Sequence, residues 1–143
     1  MNRIEQVAIE HDCAKLVYSY CQTIDVYDYD AFVQLWADDA VWETRAGVCK
    51  GHAEIRKYLD SRAQGVTGRH HCTNVVIDVV DANTARGRSY FMYFVGAPGT
   101  KTDPVIGSGP AVVGEYVDQF RLTAKGWKFA HRGTVITMSA PPK

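Results

Sequence analysis

The sequence predicts an α+β fold, in which N-terminal helices pack on a strongly curved, mostly antiparallel sheet. Two observations predict it. Apolar residues recur at helical spacing through the first part of the chain, up to about Ala63. From Asn74 onward the period shortens, and β-branched and aromatic residues gather in runs bounded by turn signals. Helices first and strands afterwards is the order of α+β domains, whereas α/β domains alternate the two.

Taken in order, residues 4 to 24 place Ile4, Val7, Ala8, Ala14, Val17, Tyr18 and Cys21 near helical spacing, which predicts one amphipathic helix. The Asp cluster that follows reads as a turn, with Asp30 expected to cap a short helix reaching Leu35 and Trp36. Ala40 to Glu43 is expected to be a short strand. Gly51 opens a further helix, GHAEIRKYLDSRA, with Ile55, Tyr58 and Leu59 on one face. Strands are expected over Asn74–Val80, Ala85–Val95, Ala111–Thr123 and Trp127–Met138. Turn residues separate them, and a Gly/Pro-rich loop lies near 96–110. No internal repeat is visible, and residues 1–143 read as one domain.

Composition narrows the function classes. Lys+Arg equals Asp+Glu at 16 each, with no basic stripe, which sets nucleic-acid binding aside. The four cysteines form no CxxC group, so reduced thiols in the cytoplasm are expected, without a disulfide framework or zinc site. No apolar run approaches the ~20 residues a membrane span needs.

Three helices cannot cover a long curved sheet completely, so a cone-shaped cavity is expected between them, of the kind that holds small molecules. The stretch GRHHCTN brings chemistry to it. His70 and His71 are neighbours at the mouth of a strand, and alternation sends their rings to opposite faces. One of them is expected to face the interior.

The order of elements resembles the nuclear-transport-factor-2-like cone fold, and within it the SnoaL-like, scytalone-dehydratase-like branch. The motifs that carry the resemblance are YSYCQTIDVYDYDAFVQLWADDAVWE, the G-x-x-x-I at Gly51 to Ile55, the H-x-x-x-N at His70 to Asn74, and WKFAHR at 127–132. In dehydratases and dehydrochlorinases of this branch, a buried Asp–His pair drives elimination. The resemblance implies Asp25 as the Asp and His70 as the His, with His71 as the alternative. It further implies functional roles for Tyr20 and Arg132. Where one bile-acid relative carries a second acidic residue, this chain has Tyr93.

Proton removal beside an electron-withdrawing group needs a base with a pKa near working pH, and imidazole fits once a carboxylate fixes its tautomer. The expected assignment is His70 as base, Asp25 as its orienting partner, Tyr20, Tyr93 or another Tyr as donor to a developing oxyanion, and Arg132 as a clamp for a substrate anion or a counter-ion for Asp25. Trp42, Tyr58, Phe91 and Tyr93 are the candidate substrate-lining residues. No cofactor and no metal are expected, because the His and carboxylate spacing fits no standard zinc motif.

The expected function is therefore a cofactor-independent lyase or isomerase acting on a small, cyclic, largely apolar substrate. The alternatives are a binding module that keeps the pocket without the chemistry, and a structural partner resembling the β-subunit of ring-hydroxylating dioxygenases. Neither nucleic acid nor membrane is an expected partner. The apolar residues left on the outer sheet face imply a homo-oligomer, with a trimer favoured over a dimer.

Overall fold

A computed structural model of the chain describes residues 1–96 and 109–140. The loop expected to close the cone and the extreme C-terminal tail fall largely outside these residues. Helix α1 (Arg3–Asp25) and the short α2 (Tyr29–Val33) lead into β1 (Trp36–Thr44) and β2 (Gly47–Lys50). Helix α3 (Gly51–Asp60) follows, then the four long strands β3 (Thr67–Val79), β4 (Thr84–Gly96), β5 (Val112–Thr123) and β6 (Gly126–Ser139). One six-stranded sheet has the order β2-β1-β6-β5-β4-β3. All pairings are antiparallel except β1 with β6, which run parallel.

Helix α1 starts at a reciprocal capping box, in which Asn2 accepts from the Glu5 amide and Glu5 accepts from the Asn2 amide. Its buried stripe is Ile9, Cys13, Val17, Tyr20, Cys21 and Ile24. The expected stripe was partly in phase, since Val17 and Cys21 are buried. Ile4 is 82% exposed, and Val7 and Tyr18 are also exposed. The helix carries apolar residues on two faces, and packing against α2 and the sheet decides which is buried. The second helix also differs from expectation. Asp28 caps it by accepting from the Ala31 amide, while Asp30 pairs with Arg56 from α3.

Strand β3 begins at Thr67 rather than at Asn74, so GRHHCTN lies within the strand. Its polar residues are carried by pairing with β4, His70 opposite Tyr93 and Cys72 opposite Phe91. Such pairing overrides weak local strand propensity. Asn74 sits at φ 53, where the register shifts between Thr73 and Val76. Asn tolerates this left-handed backbone better than most residues, and the resulting bulge bends the strand. Curvature of this kind makes the sheet a half-cone around α1.

The core is strongly aromatic. Tyr20, Phe32, Trp36, Trp42 and Phe129 form a connected set of ring contacts with centroids 4.9–6.3 Å apart. They join α1 and α2 to the β1–β6 seam, where Trp36 is aligned with Phe129. No described helix is long and apolar enough to cross a membrane.

Candidate functional site

Helix α1 ends at Asp25, against the start of β3. The carboxylate accepts two hydrogen bonds from one residue: Oδ1 lies 2.6 Å from His70 Nδ1, and Oδ2 accepts from the His70 amide at 2.7 Å. Both side chains are largely buried, with exposures of 8% and 10%. A carboxylate only accepts, so the neutral imidazole carries its proton on Nδ1 and keeps the lone pair on Nε2. The backbone contact holds the carboxylate against the strand, and the side-chain contact sets the ring. The tautomer and the orientation are thus fixed together.

His70 lines a cavity of about 340 Å³. Tyr20 and Ile24 from α1, Trp42 and Thr44 from β1, Tyr58 from α3, and Phe91 and Tyr93 from β4 share its wall. Val112, Tyr116, Thr134 and Ile136 complete the sheet side, and Arg45 and Arg62 reach it from the segments after β1 and α3. Of the residues singled out from the sequence, Tyr20, Trp42, Tyr58, His70, Phe91 and Tyr93 meet here, with Asp25 directly behind His70. A hollow of similar size, about 330 Å³, lies at the other end of β1 beside Trp36, Asp39 and Arg121, but it holds no part of the Asp25–His70 pair.

The ring of Tyr93 stacks on the imidazole, with centroids 4.3 Å apart and planes at 28°. Gly68 makes this possible, since a Cβ there would come within 2.7 Å of the Tyr93 hydroxyl. Similarly, a Cβ at Gly114 would strike the Val135 carbonyl at 2.2 Å and the Phe91 ring at 2.8 Å, and Phe91 stacks on Tyr116 at 4.3 Å. Burial raises the pKa of Tyr20, Tyr93 and Tyr116, so all three stay protonated donors at neutral pH.

Two expected residues lie elsewhere. The ring of His71 points to the opposite face of β3, edge-on to Phe94 at 5.5 Å, as alternation requires. Arg132 is fully buried but does not reach the cavity or Asp25. Its Nε and Nη2 donate to the two oxygens of Asp118, each at 2.7 Å. Its guanidinium lies 4.2 Å from the Tyr20 ring centroid, 4.0 Å from Tyr116 and 4.4 Å from Phe129. Burial opposes the charge, but Asp118 outweighs it and holds the Arg132 pKa above its ordinary value. Arg132 therefore braces two tyrosines of the cavity wall from behind, and neither clamps a ligand nor neutralises Asp25.

Sequence reasoning missed Tyr116, Arg62, Arg45 and Thr134. A signal existed for Tyr116, because Tyr116, Asp118 and Phe120 alternate on one face of β5. The two arginines come from connecting segments with no periodicity to read. Cys21 and Cys72, one beside Tyr20 and the other two residues after His70, bring their sulfurs to 3.1 Å. That contact raises the pKa of the Cys21 thiol and lowers that of Cys72.

The SnoaL-like domain family matches residues 5–133. Among solved structures, a type 2 hexachlorocyclohexane dehydrochlorinase (LinA) is similar with a TM-score of 0.82 and 16% identity, covering 99% of this chain and 94% of that one. A putative scytalone dehydratase from Novosphingobium aromaticivorans is similar with a TM-score of 0.81 and 18% identity, over 97% and 91% of the two chains. A protein of unknown function from Mycobacterium tuberculosis reaches 27% identity and a TM-score of 0.76, over 92% and 77%. No curated protein matches the chain. The structural likenesses bear on the fold, and the match along most of the sequence adds the family: this chain is a member of the SnoaL-like family, built on the nuclear-transport-factor-2-like cone.

Proposed function

We propose that the protein is a cofactor-independent lyase or isomerase, in which His70 removes a proton from a small cyclic substrate. The observation that carries this reading is the 2.6 Å contact between Asp25 and His70 Nδ1, made by a histidine that lines an aromatic cavity. Nε2 takes the proton, and Asp25 stabilises the imidazolium as it forms. Tyr20 and Tyr116, protonated and buried, are the donors for negative charge that develops on the substrate. Elimination of water or halide and migration of a double bond all begin with this step. The similarity to a dehydrochlorinase and a putative scytalone dehydratase supports the elimination branch.

The test is hydrogen–deuterium exchange at the α-carbon of cyclic ketones in D2O, followed by NMR. Exchange by the wild type should fall about 10²- to 10⁴-fold in His70→Ala and in Asp25→Asn. If the wild type promotes no exchange, or both variants match it, the reading fails. Binding without turnover is the second reading, favoured by the Tyr93 ring that covers one face of the imidazole.

The proposal includes self-association, with a trimer favoured. Tyr90, Val117 and Val135 are exposed on the outer sheet face, and Ile4, Val7 and Tyr18 are exposed on α1. Light scattering on the purified protein should give a multiple of the 15.9 kDa chain mass; a monomer at micromolar concentration would refute this part.

A further inference from the structure

The cavity wall is rich in donors and poor in acceptors. Arg45 and Arg62 both line it, and among the described residues no Asp or Glu does. Neither arginine joins an ion pair among the described residues, whereas Arg3, Arg56, Arg121 and Arg132 all do. Arg62 is half-buried; its guanidinium donates a long hydrogen bond, 3.4 Å, to the Tyr29 hydroxyl, and its charge also acts on the Tyr93 hydroxyl of the cavity wall. A second observation is independent of charge. Trp42 lines the same cavity and is 3% exposed, yet its indole N–H has no acceptor among the described residues. A buried donor left unpaired is costly, and a bound ligand is one way to satisfy it.

We infer that the ligand of this cavity is an apolar ring bearing a carboxylate, with Arg62 as the residue that selects the anion and Arg45 adding to the field at the rim. The inference rests on the proposed site and deepens it, giving the largely apolar substrate an anionic end. The geometry fits that split. Phe91, Val112, Tyr116 and Ile136 offer the ring an apolar wall from the sheet, while the cations come from the segments after β1 and α3. A guanidinium fork matches a planar carboxylate, which a neutral amide of the same shape imitates only in part. Asp25 does not occupy this role, because both its oxygens are engaged by His70.

The experiment is calorimetric binding of 2-naphthoate and of its neutral counterpart 2-naphthamide to the intact protein at low salt. The carboxylate should bind about tenfold tighter or more, the difference expected of a charge-assisted hydrogen bond. That preference should shrink as salt rises. Arg62→Gln should abolish it, and Arg62→Lys should restore part of it. Circular dichroism verifies that each variant is folded. Equal binding of the two probes, binding of neither, or a preference that survives Arg62→Gln overturns the inference. Because the measurement does not involve turnover, a lost anion preference and a failed exchange assay are separate outcomes.

Discussion

Arg132 has no exposed surface, so its charge depends on the residues packed around it. Asp118 satisfies two of its donors, and three aromatic rings surround the guanidinium. Removing the arginine alone leaves Asp118 charged and buried. Arg132→Met should therefore cost about 3–5 kcal/mol in urea unfolding, and adding Asp118→Leu should recover most of it. A loss below about 1 kcal/mol for the single variant would mean that the pair is dispensable. The pair also marks where residue-level reading of the sequence stops. Asp25 and His70 were legible because one ends the first apolar helix and the other opens H-x-x-x-N. Arg132 was picked out, but its partner was not, since nothing local ties residue 132 to residue 118. That link exists only once β5 and β6 are in register. His71 illustrates the converse. Alternation alone left the two adjacent histidines equivalent; the resemblance favoured His70, and the phase of the strand turns His71 to the other face.

Strand β3 shows how an element adapts to its neighbours. Its ladder to β4 is interrupted after Thr73, and Asn74 takes up the left-handed backbone that the irregularity requires. Gly accommodates this conformation, whereas a β-branched residue strongly resists it. Asn74→Gly should leave thermal stability within about 0.5 kcal/mol of wild type, while Asn74→Val should lose about 1–2 kcal/mol and flatten the sheet beside His70. Equal stability of the two would show that the bulge is incidental. The four long strands were readable from their β-branched and aromatic runs and turn residues, except for the first half of β3. The α1 phase was readable only in part, because Ile4, Val7 and Tyr18 mimic a core stripe that the sheet leaves uncovered. β2 escaped notice because four residues are too short to display a period.

At the scale of the whole molecule, buried tyrosines tie stability to alkaline pH. Burial holds Tyr20 and Tyr116 above the ordinary tyrosine value of 10.0. Below that value both folded and unfolded chains keep these protons. As pH rises through it the unfolded chain releases them first, so the native state loses stability. The urea midpoint should fall between about pH 9 and pH 11, and Tyr116→Phe should fall less steeply than wild type. Parallel slopes would show that Tyr116 does not contribute. The parallel seam between β1 and β6 has a further consequence, one that concerns synthesis. Trp36 aligns with Phe129, so the first strand waits for a partner that is synthesised only after all the other strands. Until then Phe32, Trp36 and Trp42 have no sheet to close over them. Long-range pairing of this kind is slow and leaves apolar surface open while it waits. The nascent chain thus carries an uncovered aromatic cluster until β6 has emerged.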